Sequence, residues 1–143
     1  MVISETLELQ THGQGDVRDL TPDVVRVVSS ARLRDGIVTV FVSGSTAAVT
    51  TIECEPGAVS DLDRAFERIA PRGGDYAHHL RWGDANGSSH VRAAMLGPSV
   101  TIPVVAGRLA LGTWQQVVLV EFDVEARDRK VVVQILGETT PAE

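Results

Sequence analysis

The stretch Ile37-Val38-Thr39-Val40-Phe41-Val42-Ser43-Gly44-Ser45-Thr46-Ala47-Ala48-Val49-Thr50-Thr51-Ile52-Glu53 decides the fold. Its first six residues form a nearly continuous apolar run of strand length. Such a run points to burial on both faces, by a second sheet or by a helix layer. Gly44, Ser45 and Thr46 interrupt it, and residues 47–53 form a second strand. Toward the N-terminus, Thr21-Pro22-Asp23 opens a helix: Thr caps, Pro is preset for the first helical position, and Asp faces the positive end of the helix dipole. Val24, Val27, Val28 and Ala31 then recur at helical spacing as one core-facing stripe, and Asp35-Gly36 ends it. Residues 2–10 alternate as a strand with one buried face, and His12 sits in a glycine-rich loop as a solvated side chain.

Toward the C-terminus, Glu55-Pro56-Gly57 turns the chain. Ser60-x-x-Asp63 resembles a capping box, with Leu62, Ala65, Phe66 and Ile69 as the stripe of a helix that residues 71–74 stop. Residues 89–96 make a short helix ending at Gly97-Pro98. Residues 100–105 and 108–111 are short strands around an Ala106-Gly107 turn. Residues 115–123 and 130–136 are strands joined by a charged loop too short for a parallel crossover, which predicts an antiparallel hairpin. Residues 138–143 read as a frayed tail. The whole is one α+β domain over 1–143: a two-layer, mainly antiparallel β-sandwich with two or three helices on one side.

Composition bounds the function. A chain of 143 residues with 43% apolar and 22% charged residues suits one soluble domain with its own core. The net charge is −6, and no Lys/Arg run exceeds two residues, which argues against nucleic acid as a partner. No apolar window approaches the length of a membrane-spanning helix. One cysteine, Cys54, and an N-terminus without a signal-peptide pattern fit a cytoplasmic protein. Cys54 has no activating neighbour in sequence and reads as inert packing.

Polar chemistry is concentrated between Tyr76 and Gln116. His78 and His79 are adjacent, and on a strand only one of them would enter a shared site. His90 follows an Asp84-x-Asn86-Gly87-Ser88 turn. Two imidazoles and a carboxylate are able to bind a divalent ion such as zinc; the alternative is a polar turn whose Asp and Asn bond their own backbone. Loop-to-helix amides at 84–90 are a place for a phosphate. Gly112-Thr113-Trp114-Gln115-Gln116 offers an indole to wall a pocket and an amide to orient a substrate, although a lone Trp is more often core. Glu53 and Glu121 interrupt apolar strands, so each is either outward-facing or a pocket base with Arg127 or Arg129 as its anion partner.

The run Gly44 to Ala48, Thr51-Ile52-Glu53, Glu55-Pro56-Gly57, Tyr76-x-His78, Asp84-x-Asn86-Gly87-x-x-His90, Leu96-Gly97-Pro98-Ser99, Ile102-Pro103-Val104, Gly107 and Leu111 to Gln116 resembles the YjbQ-like family, also called secondary thiamine-phosphate synthase. The resemblance covers nearly the whole chain. It implies an α+β fold with a β-sandwich core, assembly as a homotrimer with sites near subunit boundaries, and a transferase reaction. That reaction joins an aminopyrimidine diphosphate to a thiazole phosphate and releases pyrophosphate. On this reading Glu53, Asp84, His90 and Gln115 are the catalytic candidates. Asn86, Ser88, Trp114 and Arg92 hold the phosphorylated small molecule, with Arg81 as a further cation. His78 and His90 hold a divalent metal, zinc or magnesium. Ser45 and Ser88 stand where many members carry histidine. A non-enzymatic trimeric module that captures a phosphorylated molecule is the alternative, and a trimer merely knitted together by these motifs is a third reading.

Overall fold

The structure, a computed structural model, describes residues 1–141 apart from the side chain of Trp82. Twelve elements follow in order: β1 (Val2–Gln10), β2 (Val17–Asp19), α1 (Thr21–Ser30), β3 (Leu33–Ser43), β4 (Ala47–Ile52), α2 (Pro56–Ile69), α3 (His79–Trp82), α4 (Gly87–Leu96), β5 (Ser99–Val105), β6 (Arg108–Leu109), β7 (Gln116–Glu121) and β8 (Asp128–Thr139). The strands form a five-stranded sheet, β1-β8-β3-β5-β6, and a three-stranded sheet, β2-β7-β4. Every pairing is antiparallel.

The two sheets pack face to face. Val38, Val40 and Val42 of β3, Val131, Val133 and Ile135 of β8, and Ile102 and Val104 of β5 meet Ala47, Val49, Val117 and Leu119 of the smaller sheet. Helix α1 joins this core through Val24, Val27 and Val28. Its start is fixed by β7: the Leu20 N–H donates to the Val117 carbonyl, and the Val117 N–H to Thr21 Oγ1. The capping carboxylate is that of Asp19, which accepts from the Thr21 N–H, so Thr21 is inside the helix rather than its cap.

Burial on both faces belongs to β7, not to the 37–42 run. Val117 and Leu119 enter the inter-sheet core, while Val118, Val120 and Phe122 pack under α2 and α4 with Ala48, Phe66 and Ala93. Strand β3 alternates instead. Its Ile37 and Phe41 are 38% and 40% exposed on an outer face that no element of the described residues covers. A β-branched run looks the same in sequence whether one face or two is covered, so the number of covering layers has to come from the rest of the chain.

The expected hairpin of 115–123 with 130–136 is overturned. β7 pairs with β2 and β4, β8 pairs with β1 and β3, and residues 122–127 carry the chain from one sheet to the other. A short link excludes a parallel crossover, but it does not exclude a step between packed layers. Other boundaries also shift. α2 starts at Pro56, in the expected turn, because Glu55 accepts from the Gly57 and Ala58 amides; Ser60 is not its cap. β3 begins at Leu33, β6 stops at Leu109, and β8 runs to Thr139. The expected frayed tail is therefore paired strand at 138 and 139, and its residues 142 and 143 lie outside the described residues.

Candidate functional site

The polar centre is built at the start of α4. After α3 the chain reverses sharply, with Gly83 and Ala85 both in the left-handed region (φ 65° and 57°). This reversal returns the chain so that the His78 ring lies over the His90 ring, centroids 4.4 Å apart and tilted by 41°. Asp84 Oδ1 lies 3.5 Å from His78 Nδ1. With the Asn86 amide oriented to suit its neighbours, Nδ2 donates to Asp84 Oδ1 at 2.9 Å and to His78 Nδ1 at 3.3 Å. Asn86 is buried, so its amide is fixed between the carboxylate and the imidazole. Accepting that N–H leaves the neutral His78 ring with its proton on Nε2. The arrangement is an imidazole held between an amide and a carboxylate, with a second imidazole against it.

His79 is not on a strand, and the alternation expected to exclude it does not apply. It opens α3, and its Nε2 accepts from the Gly87 N–H at 3.1 Å, closing the first turn of α4 with an imidazole. Tyr76 packs edge-on against that ring, centroids 5.4 Å apart, and its OH donates to the Pro71 carbonyl. Gly87 is required by this contact: a Cβ there would lie 2.4 Å from Tyr76 Cβ. Residues 86–89 are all buried. The expected open helix start for a phosphate is thus covered, and its first amide already has an acceptor.

Ser88 is buried in the first turn of α4, and Ser89 Oγ donates to the Phe122 carbonyl at 2.5 Å, which pins the helix to the end of β7. Arg92 is corrected from ligand-holding to structural. Its side chain is 2% exposed and spans α4 to α2: Nη2 donates to Glu67 Oε2 at 2.6 Å, Nε to the Ala70 carbonyl at 2.9 Å, and the guanidinium lies over the Phe66 ring. A guanidinium so engaged is not available to a phosphate. Among the described residues, no three His, Cys, Asp or Glu side chains group so as to hold a metal ion. His78 and His90 supply two imidazoles, and the donor set of this chain alone does not fit a metal centre.

Gln115 and Trp114 lie elsewhere. Gln115 accepts from the Gly112 N–H and donates to Thr51 Oγ1 at 3.0 Å, next to the Gln116–Ile52 pair that begins β7. Ser89 and the imidazoles are at the other end, beside Phe122. The six residues of β7 between them span about 17 Å at roughly 3.3 Å per residue. Trp114 is 72% exposed, not core. Glu53, just past β4, is exposed on the same end as Gln115. Cys54 is exposed, and partial burial together with the nearby Asp19 carboxylate pushes its thiol up, consistent with an unactivated side chain.

One polar cluster was legible only in part. Glu121, fully buried on β7, receives Arg129 of β8 through Nε at 2.7 Å and Nη2 at 2.5 Å. Thr11 Oγ1 and the Asp123 N–H also donate to it. Arg129 Nη2 donates in turn to Thr46 Oγ1, whose hydroxyl donates to Asp123 Oδ2, and Arg127 Nε completes that carboxylate. Burial by itself would raise Asp123; the hydroxyl of Thr46, the guanidinium of Arg127 and the Glu125 amide outweigh it and hold the group below the usual carboxylate range. Gly44 makes room for this clasp, since a Cβ there would sit 2.6 Å from Arg129 Nη1. The Glu121–Arg129 pairing follows from an acid in an apolar strand; its threonine partners, each remote in sequence, do not.

Residues 5–138 match the family described as "UPF0047 protein YjbQ-like". A UPF0047 protein of Archaeoglobus fulgidus is 39% identical over 91% of this chain and 98% of its own length. The UPF0047 protein YjbQ of Escherichia coli O157:H7 is 29% identical over 96% of this chain and its full length. Among solved structures, a YbjQ-like protein of unknown function from Sulfolobus solfataricus superimposes with a TM-score of 0.87 at 30% identity, covering 96% of this chain and all of that one. A hypothetical protein from Aeropyrum pernix does so with a TM-score of 0.87 at 34% identity, covering 95% and 99%. With the fold and these relatives in agreement, the chain belongs to the YjbQ-like UPF0047 family.

Proposed function

We propose that this protein is a small-molecule enzyme in which His78 and His90 exchange protons with a bound substrate. The observation that carries this is the pair of imidazoles in ring contact, with Asp84 and the buried Asn86 amide ordering one ring. A purely structural turn has no need of two partly exposed imidazoles in contact, one of them tied to a carboxylate. Asp84 and Asn86 position the His78 ring; His90 is the second proton carrier. The substrate class taken from the resemblance is a phosphorylated heterocycle, and the coupling of an aminopyrimidine diphosphate to a thiazole phosphate is the reaction to assay first.

Self-assembly completes the proposal. The outer face of the five-stranded sheet carries exposed Val2, Ile37, Phe41 and Leu136, and Trp114 projects from the opposite end of β7 to the histidines. In a homotrimer, Trp114, Gln115 and Glu53 of one copy would face the His78–His90 pair of another, joining two half-sites that a single chain keeps apart. A divalent ion at His78 and His90 would then need a ligand from water or from a second copy, and no step here depends on one.

The test is turnover of that substrate pair by the wild-type chain and by His78→Gln and His90→Gln. Loss of at least a hundredfold in kcat with folding intact is expected. Binding of the phosphorylated substrates with no turnover by the wild type would instead make the protein a capture module. Wild-type activity retained in both variants would remove the histidines from the chemistry.

A further inference from the structure

A second cleft, at the end of β7 away from the histidines, opens between α1 and the 107–116 segment. Its volume is about 420 Å³, within the roughly 300–1,000 Å³ of small-molecule sites. Val25 and Leu111 give it apolar walls; Thr21, Ser29, Arg108 and Gln116 give it polar ones. Two features bear on what it could bind. The chain has 19 acidic against 13 basic residues, yet no carboxylate lines this cleft. Its cation, Arg108, is in no ion pair among the described residues, and neither are Arg32 and Arg68, whereas Arg18, Arg26, Arg34, Arg64, Arg72, Arg92, Arg127 and Arg129 each have one.

The remaining polar groups are arranged as donors. Thr21 Oγ1 accepts from the Val117 N–H, so its O–H proton is left to donate. Gln116 Oε1 accepts from the Cys54 N–H at 2.8 Å, which fixes the amide and leaves the Nε2 protons to donate. Ser29 adds a hydroxyl. A guanidinium, a fixed amide and two hydroxyls above an apolar wall match an anion that carries a hydrocarbon or aromatic body. The guanidinium fork fits carboxylate and phosphate oxygens alike, but its single positive charge balances a carboxylate and not a phosphate dianion.

We infer that the cleft between α1 and residues 107–116 binds a small organic carboxylate, with Arg108 holding the carboxylate group and Val25 and Leu111 the apolar body. Within one chain it lies at the other end of β7 from the imidazole pair, and it does not depend on that pair being catalytic.

Benzoate is the probe, titrated into the full-length ¹⁵N-labelled chain, with benzamide as the neutral isostere and phenyl phosphate as the dianion. Benzoate should shift the Ser29, Arg108 and Gln116 amides in a saturable way, benzamide should not, and phenyl phosphate should bind more weakly than benzoate. Arg108→Gln should weaken benzoate at least tenfold. Ser29→Phe, which fills the cleft from the exposed side of α1, should do the same and guards against a misfolded Arg108 variant. His78→Ala should leave the titration unchanged. Equal binding of benzamide, unaltered binding in Arg108→Gln, or shifts that vanish in His78→Ala would each overturn the inference.

Discussion

Replacing Arg129 by methionine should be among the most damaging single changes in this chain. Glu121 is fully buried, and Arg129 makes two of the four hydrogen bonds its carboxylate receives; the other two, from Thr11 Oγ1 and the Asp123 amide, survive the substitution. A buried carboxylate stripped of its cation costs about 3–5 kcal/mol. That is a large fraction of the roughly 5–15 kcal/mol that holds a domain folded. The clasp joins β7 to β8, one strand from each sheet, and fixes the 122–127 crossing. Phe122, whose carbonyl accepts from Ser89, ties the same point to the start of α4. Loosening the clasp should therefore disturb the His78–His90 pair as well as global stability.

The reasoning separates two causes. If the cost arises from an orphaned charge, then Glu121→Leu combined with Arg129→Met should recover most of it, because a matched apolar pair removes the desolvation penalty together with the attraction. Urea unfolding followed by circular dichroism reads both quantities: the midpoint should fall sharply in Arg129→Met and return most of the way in the double variant at an unchanged m-value. A loss under about 1 kcal/mol in the single variant, or a double variant as unstable as the sum of its parts, refutes the account.

Gly87→Ala should cost about 1–3 kcal/mol through overpacking against Tyr76, seen as a lowered melting temperature; an unchanged one would mean that α4 shifts freely. Asp123 is held below its unfolded value, so its contribution is present above an unfolded carboxylate pKa of about 4 and is lost as pH falls through the folded value. Asp123→Asn should accordingly flatten the acid limb of a stability–pH curve, and an identical limb would assign the acid sensitivity elsewhere. Trp114→Ala should weaken self-association in analytical ultracentrifugation while leaving the monomer's thermal unfolding almost unchanged, since the indole is exposed; a loss of monomer stability would show it packed. Arg92→Lys should destabilise the chain by about 1–2 kcal/mol in the same urea assay, because an ammonium cannot reproduce the spread of bonds to Glu67 and the Ala70 carbonyl.

What the sequence exposes depends on how local the cause is. The valine stripe of α1 and the alternation of β1 are visible because both follow from periodicity within one element. The start of α2 is not, because its cap is Glu55 and a glutamate in that role is outside the usual Ser, Thr, Asp and Asn set. The sheet assignments of β7 and β8 are hidden for a longer-range reason. A six-residue link and two apolar strands are consistent with a hairpin, and only the pairing of Glu121 with Arg129 across the layers shows the chain stepping between sheets. Arg92 is hidden for a similar reason: a cation one turn into a helix reads as a ligand contact until Glu67 and Ala70, more than twenty residues away, are placed beside it. His78, Asp84, Asn86 and His90 were legible as a group because one tight reversal supplies all four.

The same distinction bears on how the candidate site is divided. Residues within one reversal of the chain are brought together by local geometry, so the imidazole pair forms in a single copy. Trp114 and Gln115 are tied to β7 at Gln116, and β7 is a doubly buried strand whose length keeps them from the histidines. No loop movement closes a separation set by the central strand of a sheet. If the motifs at the two ends act on one substrate, they do so from different copies, and the uncovered face bearing Ile37 and Phe41 supplies apolar surface for that assembly. If they do not, each end has its own ligand, and the acid-free cleft beside Arg108 is the place where the Gln115 end takes it.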